Sequence, residues 1–170
     1  AIEADIDFIA HSFVRNKEDL HEIQRLLDEA GSHIKIISKI ESMSGIKNIE
    51  EILDISDGIM VARGDLGVEL PQSKLPKIQM DLINCAIEKG KTVIVATEML
   101  ESMINSPRPT RAETVDVANA VYNGASAVML SAESAIGQYP DKAVKTMAEI
   151  CLQAEKDIAY KKMFFNSVFN

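Results

Sequence analysis

Five short apolar runs rich in β-branched residues, at residues 6–13, 34–40, 58–62, 92–97 and 127–130, limit what this chain can become. Each is nearly continuous in apolar character, the pattern of a strand buried on both faces of a parallel sheet. Longer amphipathic stretches separate them. Leu20, Ile23, Leu26, Leu27 and Ala30 repeat at helical spacing, as do Ile78, Leu82, Cys85 and Ala86, and later Ala143, Met147, Ile150, Cys151 and Ala154. Strand and helix therefore alternate five times, and alternation of that kind means a parallel sheet.

The element ends agree with this reading. Asn16 can cap the first helix, with Asp19 in its first turn and Gly31 after its last. Pro76 suits a first helical turn and Gly90 closes that helix. Thr110 with Glu113 has capping-box spacing after Pro107-Arg108-Pro109, and Gly124 ends the helix that follows. Two architectures fit: an open sheet wound on both faces, or part of an eight-fold βα barrel. One βα unit here takes about 34 residues, so eight would need roughly 270, close to the usual barrel. The open sheet lacks its usual mark, a glycine-rich loop after the first strand. The expected fold is α/β, a partial (β/α)8 TIM barrel of about five consecutive βα units, in a single domain over residues 1–170. The first residue already lies in a patterned segment, which implies that the sequence begins mid-protein.

Charge and cysteine usage narrow the function. A net charge of −8 and a pI of about 4.9 argue against a general nucleic-acid binder, because phosphate backbones attract positive surfaces. Cys85 and Cys151 both fall in helical patterns, so no zinc site or disulfide framework is indicated and a cytoplasmic setting fits. No apolar run approaches the roughly 18 residues that mark a membrane span. His11, His21 and His33 have no metal-ligand spacing and read as structural or surface residues.

The polar residues that need explaining stand where strands end. Ser12 and Arg15 close the first, Lys39 and Glu41 the second, Arg63 and Asp65 the third, Thr97 the fourth, and Ser131 and Glu133 the fifth. Carboxyl ends of strands carry the active sites of barrels and open α/β sheets. Lys39 and Glu41 are two apart, so their side chains share a face. They form either a structural ion pair or a ligand site. Asp65 adds a second carboxylate from the next strand end, and two carboxylates with open positions suit magnesium or manganese bound with a phosphorylated substrate. Gly64 and Gly67 permit close backbone approach, and a helical turn starting there would offer amides to a carboxylate or phosphate. Thr97 either touches substrate or caps a helix through Met99 and Met103, whose spacing is that of core residues.

These segments resemble one family. IKIISKIESMSGI over residues 34–46 resembles the signature of pyruvate kinases, and GIMVARGDLGVEL over 58–70 is similar to their next block. VATEMLESMINSPRPTRAETVDVANAV and AVMLSAESAIGQYP are similar to the following blocks, DFIAHSFVR near the start also fits, and the resemblance runs almost end to end in the family's order. The resemblance implies a glycolytic phosphotransferase that makes pyruvate and ATP from phosphoenolpyruvate and ADP. It assigns Lys39 to charge stabilisation in phosphoryl transfer and on the enolate oxygen. Glu41 and Asp65 become Mg2+ (or Mn2+) ligands. Arg63, Gly64 and Asp65 become the loop that holds the substrate carboxylate, and Thr97 the group beside the methylene carbon. Glu98 and Ala132 depart from the family pattern, where glutamine or lysine, and glycine, are commoner.

The same resemblance implies what this chain leaves out: the earlier strands with the phosphate-binding arginine, most nucleotide contacts and the ligands of K+, the lid domain, and the C-terminal regulatory domain. The chain ends after a long helix, at residues 164–170, about where that last domain would begin. Alone it is expected to be inactive and, with open strand edges, to self-associate; the intact family usually forms homo-tetramers. Two other functions fit the residues less fully: a metal-dependent lyase or aldolase acting on pyruvate or oxaloacetate, and a non-catalytic assembly module.

Overall fold

A computed structural model describes residues 1–4 and 6–156. The expectation for residues 164–170 lies outside them. The chain divides into two compact units, one comprising Ala1–Val93 and the other beginning at Ile94. Its five strands are β1 (Phe8–His11), β2 (Lys35–Ile40), β3 (Gly58–Ala62), β4 (Thr92–Ala96) and β5 (Ala127–Met129). They follow sequence order in one parallel sheet. All five expected strands are present, most of them shorter at one or both ends.

In the first unit, Phe8 stands opposite Lys35 and Ile37 opposite Gly58, so the carboxyl ends of β1, β2 and β3 share one edge. β3 is buried at every residue, as its continuous apolar run demands. β1 is not: it alternates exposed and half-buried, and Phe8 is 54% exposed. A Cβ on Gly58 would lie 2.6 Å from Thr92 O and 2.9 Å from Ile37 Cδ1, so only glycine lets the chain enter β3 there. The buried Ser38 and Ser56 hydroxyls bond each other at 2.5 Å, which satisfies a polar pair inside the apolar layer.

Helix α1 (Glu18–Glu29) buries Leu20 and Leu27. Asn16 Oδ1 accepts from Asp19 N at 3.1 Å, the expected capping bond. Helix α5 (Leu75–Glu88) carries Pro76 in its first turn and buries Gln79, Leu82, Ile83 and Ala86, a stripe rotated by about one residue from the apolar spacing. Of three short helices, α2 (Met43–Lys47) and α3 (Ile49–Ile55) were not legible in the sequence, and α4 (Arg63–Glu69) was raised only as a conditional turn. They are five to seven residues long, too short to show a helical period. Ser42 caps α2 through Gly45 N at 3.2 Å.

In the second unit, α6 (Arg111–Tyr122) opens on the expected capping box of Thr110 and Glu113. Glu113 also accepts from Ser102 N at 2.7 Å and Ser102 Oγ at 2.6 Å. It therefore fastens the start of α6 to the short 3-10 helix Glu101–Ile104. Burial alone would raise the Glu113 pKa, but the hydrogen bonds from Ser102 and Thr110 together hold it below its ordinary value. The short helix α7 (Ala132–Ala135) follows β5, and α8 (Pro140–Glu155) then packs along α6 and buries Ala143, Met147 and Ala154. Gly31, Gly90 and Gly124 all have positive φ after their helices.

Candidate active site

Lys39, Glu41 and Asp65 meet at the carboxyl edge of the first unit. β2 delivers Lys39 and Glu41 at its end; β3 delivers Asp65 in the first turn of α4. Lys39 Nζ lies 2.7 Å from Glu41 Oε1, and the Glu41 side chain is 1% exposed while that of Lys39 is 25% exposed. A carboxylate this buried needs its oxygens satisfied. Phe13 N supplies the other contact, donating to Glu41 Oε2 at 2.5 Å. Lys39 Nζ also donates to Ser12 Oγ at 2.9 Å.

Desolvation and the neighbouring charge and hydrogen bond of Glu41 raise the Asp65 pKa, while Lys39 pulls it down. Two carboxylates crowded beside one ammonium share too little positive charge. That donor set, hard oxygens with mutual repulsion, fits a divalent cation such as Mg2+ or Mn2+. Among the described residues no group of three or more His, Cys, Asp or Glu gathers to hold a metal. Glu41 and Asp65 would thus fill only part of a coordination shell, leaving the rest to substrate and water.

Arg63 and Gly64 open α4 directly after β3, so the conditional helical turn at this segment is present. The Arg63 residue is buried. Arg15 points elsewhere: its guanidinium pairs with Asp19 at 3.3 Å, and that hydrogen bond holds the Asp19 carboxyl below its usual range.

Thr97 belongs to the second unit, at the carboxyl end of β4. It does not cap a helix. Its Oγ1 donates to Ala96 O at 2.6 Å, and its φ is +69°, followed by +53° at Glu98. A β-branched residue in left-handed backbone is a genuine outlier, and such strain gathers at functional sites. Met99, Leu100 and Met103 are fully buried just beyond. Glu133, buried after β5, accepts from Leu100 N at 3.0 Å and Ser131 N at 2.8 Å, so it braces two strand-end loops of this unit. Sequence reasoning named Glu133 as a strand-end residue and missed this bracing role. It also missed the backbone of Phe13, because a main-chain donor leaves no side-chain signal. Cys85 and Cys151 are free, half-buried thiols whose pKa values burial raises, which leaves them poor nucleophiles.

Residues 1–144 match the family described as pyruvate kinase, barrel domain. The chain belongs to the pyruvate kinase family. It is 55% identical over 162 residues to a pyruvate kinase of Staphylococcus aureus (strain MRSA252), covering 95% of this chain and 28% of that protein. A pyruvate kinase of Staphylococcus epidermidis gives the same identity and coverage. Among solved structures, a pyruvate kinase from Cryptosporidium parvum superposes with a TM-score of 0.95 at 47% identity, over 99% of this chain and 36% of that one. The chain thus spans about 28% of the length of the curated pyruvate kinases it matches. Its five parallel strands form part of the (β/α)8 barrel of this family. Among the described residues, no helix is long and apolar enough to cross a membrane.

Proposed function

We propose that this chain is one continuous part of a pyruvate kinase catalytic barrel, and that the full-length protein converts phosphoenolpyruvate and ADP to pyruvate and ATP. The carrying observation is the Lys39 ammonium held 2.7 Å from buried Glu41 and beside Asp65, at the carboxyl edge of a parallel sheet. In the reaction the bond between phosphorus and the enol oxygen breaks, and a new phosphorus–oxygen bond forms to the terminal phosphate of ADP. The enolate left behind takes a proton at its methylene carbon to become pyruvate.

Lys39 places a fixed positive charge between the departing phosphoryl and the enolate oxygen, where negative charge grows. Arg63, Gly64 and Asp65 hold the substrate carboxylate at the start of α4. Thr97 faces the methylene carbon. Glu41 and Asp65 would hold Mg2+ or Mn2+, which would supply positive charge to the phosphoryl group. The K+ ligands and most ADP contacts come from segments outside these residues. Homo-oligomeric assembly and a cytoplasmic location belong to the same reading.

The test is turnover of the full-length protein with phosphoenolpyruvate and ADP, followed by coupled oxidation of NADH, with residues 1–170 assayed alongside. Turnover is expected from the full-length protein and none from the shorter chain. A full-length protein that enolises pyruvate without nucleotide, yet transfers no phosphoryl, would instead be the lyase.

A further inference from the structure

Three consecutive residues leaving β1 each make one contact with the end of β2. Ser12 Oγ accepts from Lys39 Nζ at 2.9 Å, Phe13 N donates to Glu41 Oε2 at 2.5 Å, and Val14 N donates to Lys39 O at 3.3 Å. The chain bends sharply to do this, since Phe13 has φ +55°. The Phe13 ring gains little from the bend, being 58% exposed. A bulky residue in left-handed backbone is uncommon and costly, so the contact it makes has to return that cost.

We propose that Ser12 and the main chain of Phe13 are positioning residues: they fix the Lys39 ammonium and the Glu41 carboxylate in the geometry that phosphoryl transfer uses. This rests on the function proposed above. Ser12 gives the ammonium a second partner, 2.9 Å away, beside its carboxylate. Phe13 holds the carboxylate oxygen that Lys39 does not. What matters at position 13 is the backbone conformation, not the ring. Two groups that must be placed to within a fraction of an ångström are thereby tied to a neighbouring strand as well as to their own.

This predicts an unusual order of substitutions in the full-length protein. Phe13→Gly and Phe13→Asn, which tolerate positive φ, should keep kcat within about twofold of wild type. Phe13→Ile and Phe13→Val, closer to phenylalanine in hydrophobicity but β-branched, should lose about tenfold, the scale of one strained backbone residue. KM for phosphoenolpyruvate should move less than kcat. Ser12→Ala should lower kcat by about tenfold and Ser12→Thr should restore most of it. A readout independent of activity is amide hydrogen exchange: Glu41→Ala should accelerate exchange at the Phe13 amide by at least about tenfold, because its acceptor is gone. If isoleucine serves as well as asparagine, or Ser12→Ala is silent, or the Phe13 amide ignores Glu41→Ala, the proposal is overturned. Should the isoleucine and valine proteins not fold, Ser12 and the exchange experiment decide it. Should the wild type transfer no phosphoryl at all, the proposed function fails, and exchange at Phe13 still shows whether the clamp exists.

Discussion

Gly45→Ala should damage the candidate site from behind. A Cβ at residue 45 would sit 2.7 Å from Val14 O, a backbone atom that no rotamer change can remove. Ordinary contact begins near 3.4 Å, so the Val14 peptide or α2 must yield by about 0.7 Å. There is little slack. Val14 is fully buried, and its N–H already reaches Lys39 O at 3.3 Å. Forcing a methyl into such a place costs about 1–3 kcal/mol. The better helix propensity of alanine returns roughly 0.5–1 kcal/mol, leaving a net loss of about 0–2.5 kcal/mol. The displaced peptide carries Phe13 and Ser12 with it, so Lys39 and Glu41 lose their alignment. Turnover should fall by at least about tenfold, given how steeply rate depends on placement. Urea unfolding of the full-length protein, read for midpoint at constant slope, measures the first effect, and kcat the second. Gly67→Ala is the control: its Cβ would meet only Leu75 Cδ1, at 3.6 Å, and should be neutral or mildly stabilising. If Gly45→Ala matches Gly67→Ala in both assays, the close approach does not position the site and the reasoning is wrong.

Glu41→Gln and Asp65→Asn in the full-length protein should each weaken Mn2+ binding, measured by electron paramagnetic resonance, and sharply reduce turnover; unchanged Mg2+ dependence in either would remove it from the ligand set. Lys39→Met should lower phosphoryl transfer by at least about 100-fold, while exchange of pyruvate methyl protons with deuterated water falls less. Equal loss of both would make Lys39 the proton donor or a structural support. Because the folded state lowers the pKa of Glu113 from an ordinary 4.5, the stability it contributes is present above that value and lost as pH falls through the folded one. Glu113→Gln should therefore flatten the acid limb of a stability–pH curve, and an unchanged limb would show that the Ser102 and Thr110 bonds do not favour its charge.

Much of the fold was legible because its signals are local. The β-branched runs gave all five strands, and Asn16, Pro76, Thr110 with Glu113, and the three glycines marked the helix ends where the chain places them. α2 and α3 were hidden, and α4 could be raised only as a conditional turn, because five to seven residues make at most about two turns. The exposure of β1 was hidden for another reason: an apolar run states what a strand prefers, not what lies against it. In the site, Lys39, Glu41 and Asp65 could be gathered from strand-end position, since parallel pairing puts those ends on one edge. Ser12 and Phe13 could be placed at that edge but not given work. Neither a hydroxyl's partner nor a φ of +55° is written in residue type, and phenylalanine is among the last residues that one would assign to left-handed backbone.

Gly31 and Gly90 show where this chain would accept mirror-image chemistry. Each ends a helix at positive φ, +59° and +63°, and a Cβ at either would meet nothing within 4 Å. The space is open and only the handedness forbids an L residue. A D-alanine, whose favoured backbone is the reflection of its L counterpart, would adopt that positive φ without backbone strain. It would also restrict the unfolded chain, for a gain of about 0.4–1 kcal/mol at each position. Both turns lead into the amino ends of strands, β2 and β4, away from the edge that carries Lys39, Glu41 and Asp65. A chemically ligated protein with D-alanine at both would therefore separate two properties that natural substitution tends to entangle, rigidity gained at one end of the strands and chemistry left alone at the other.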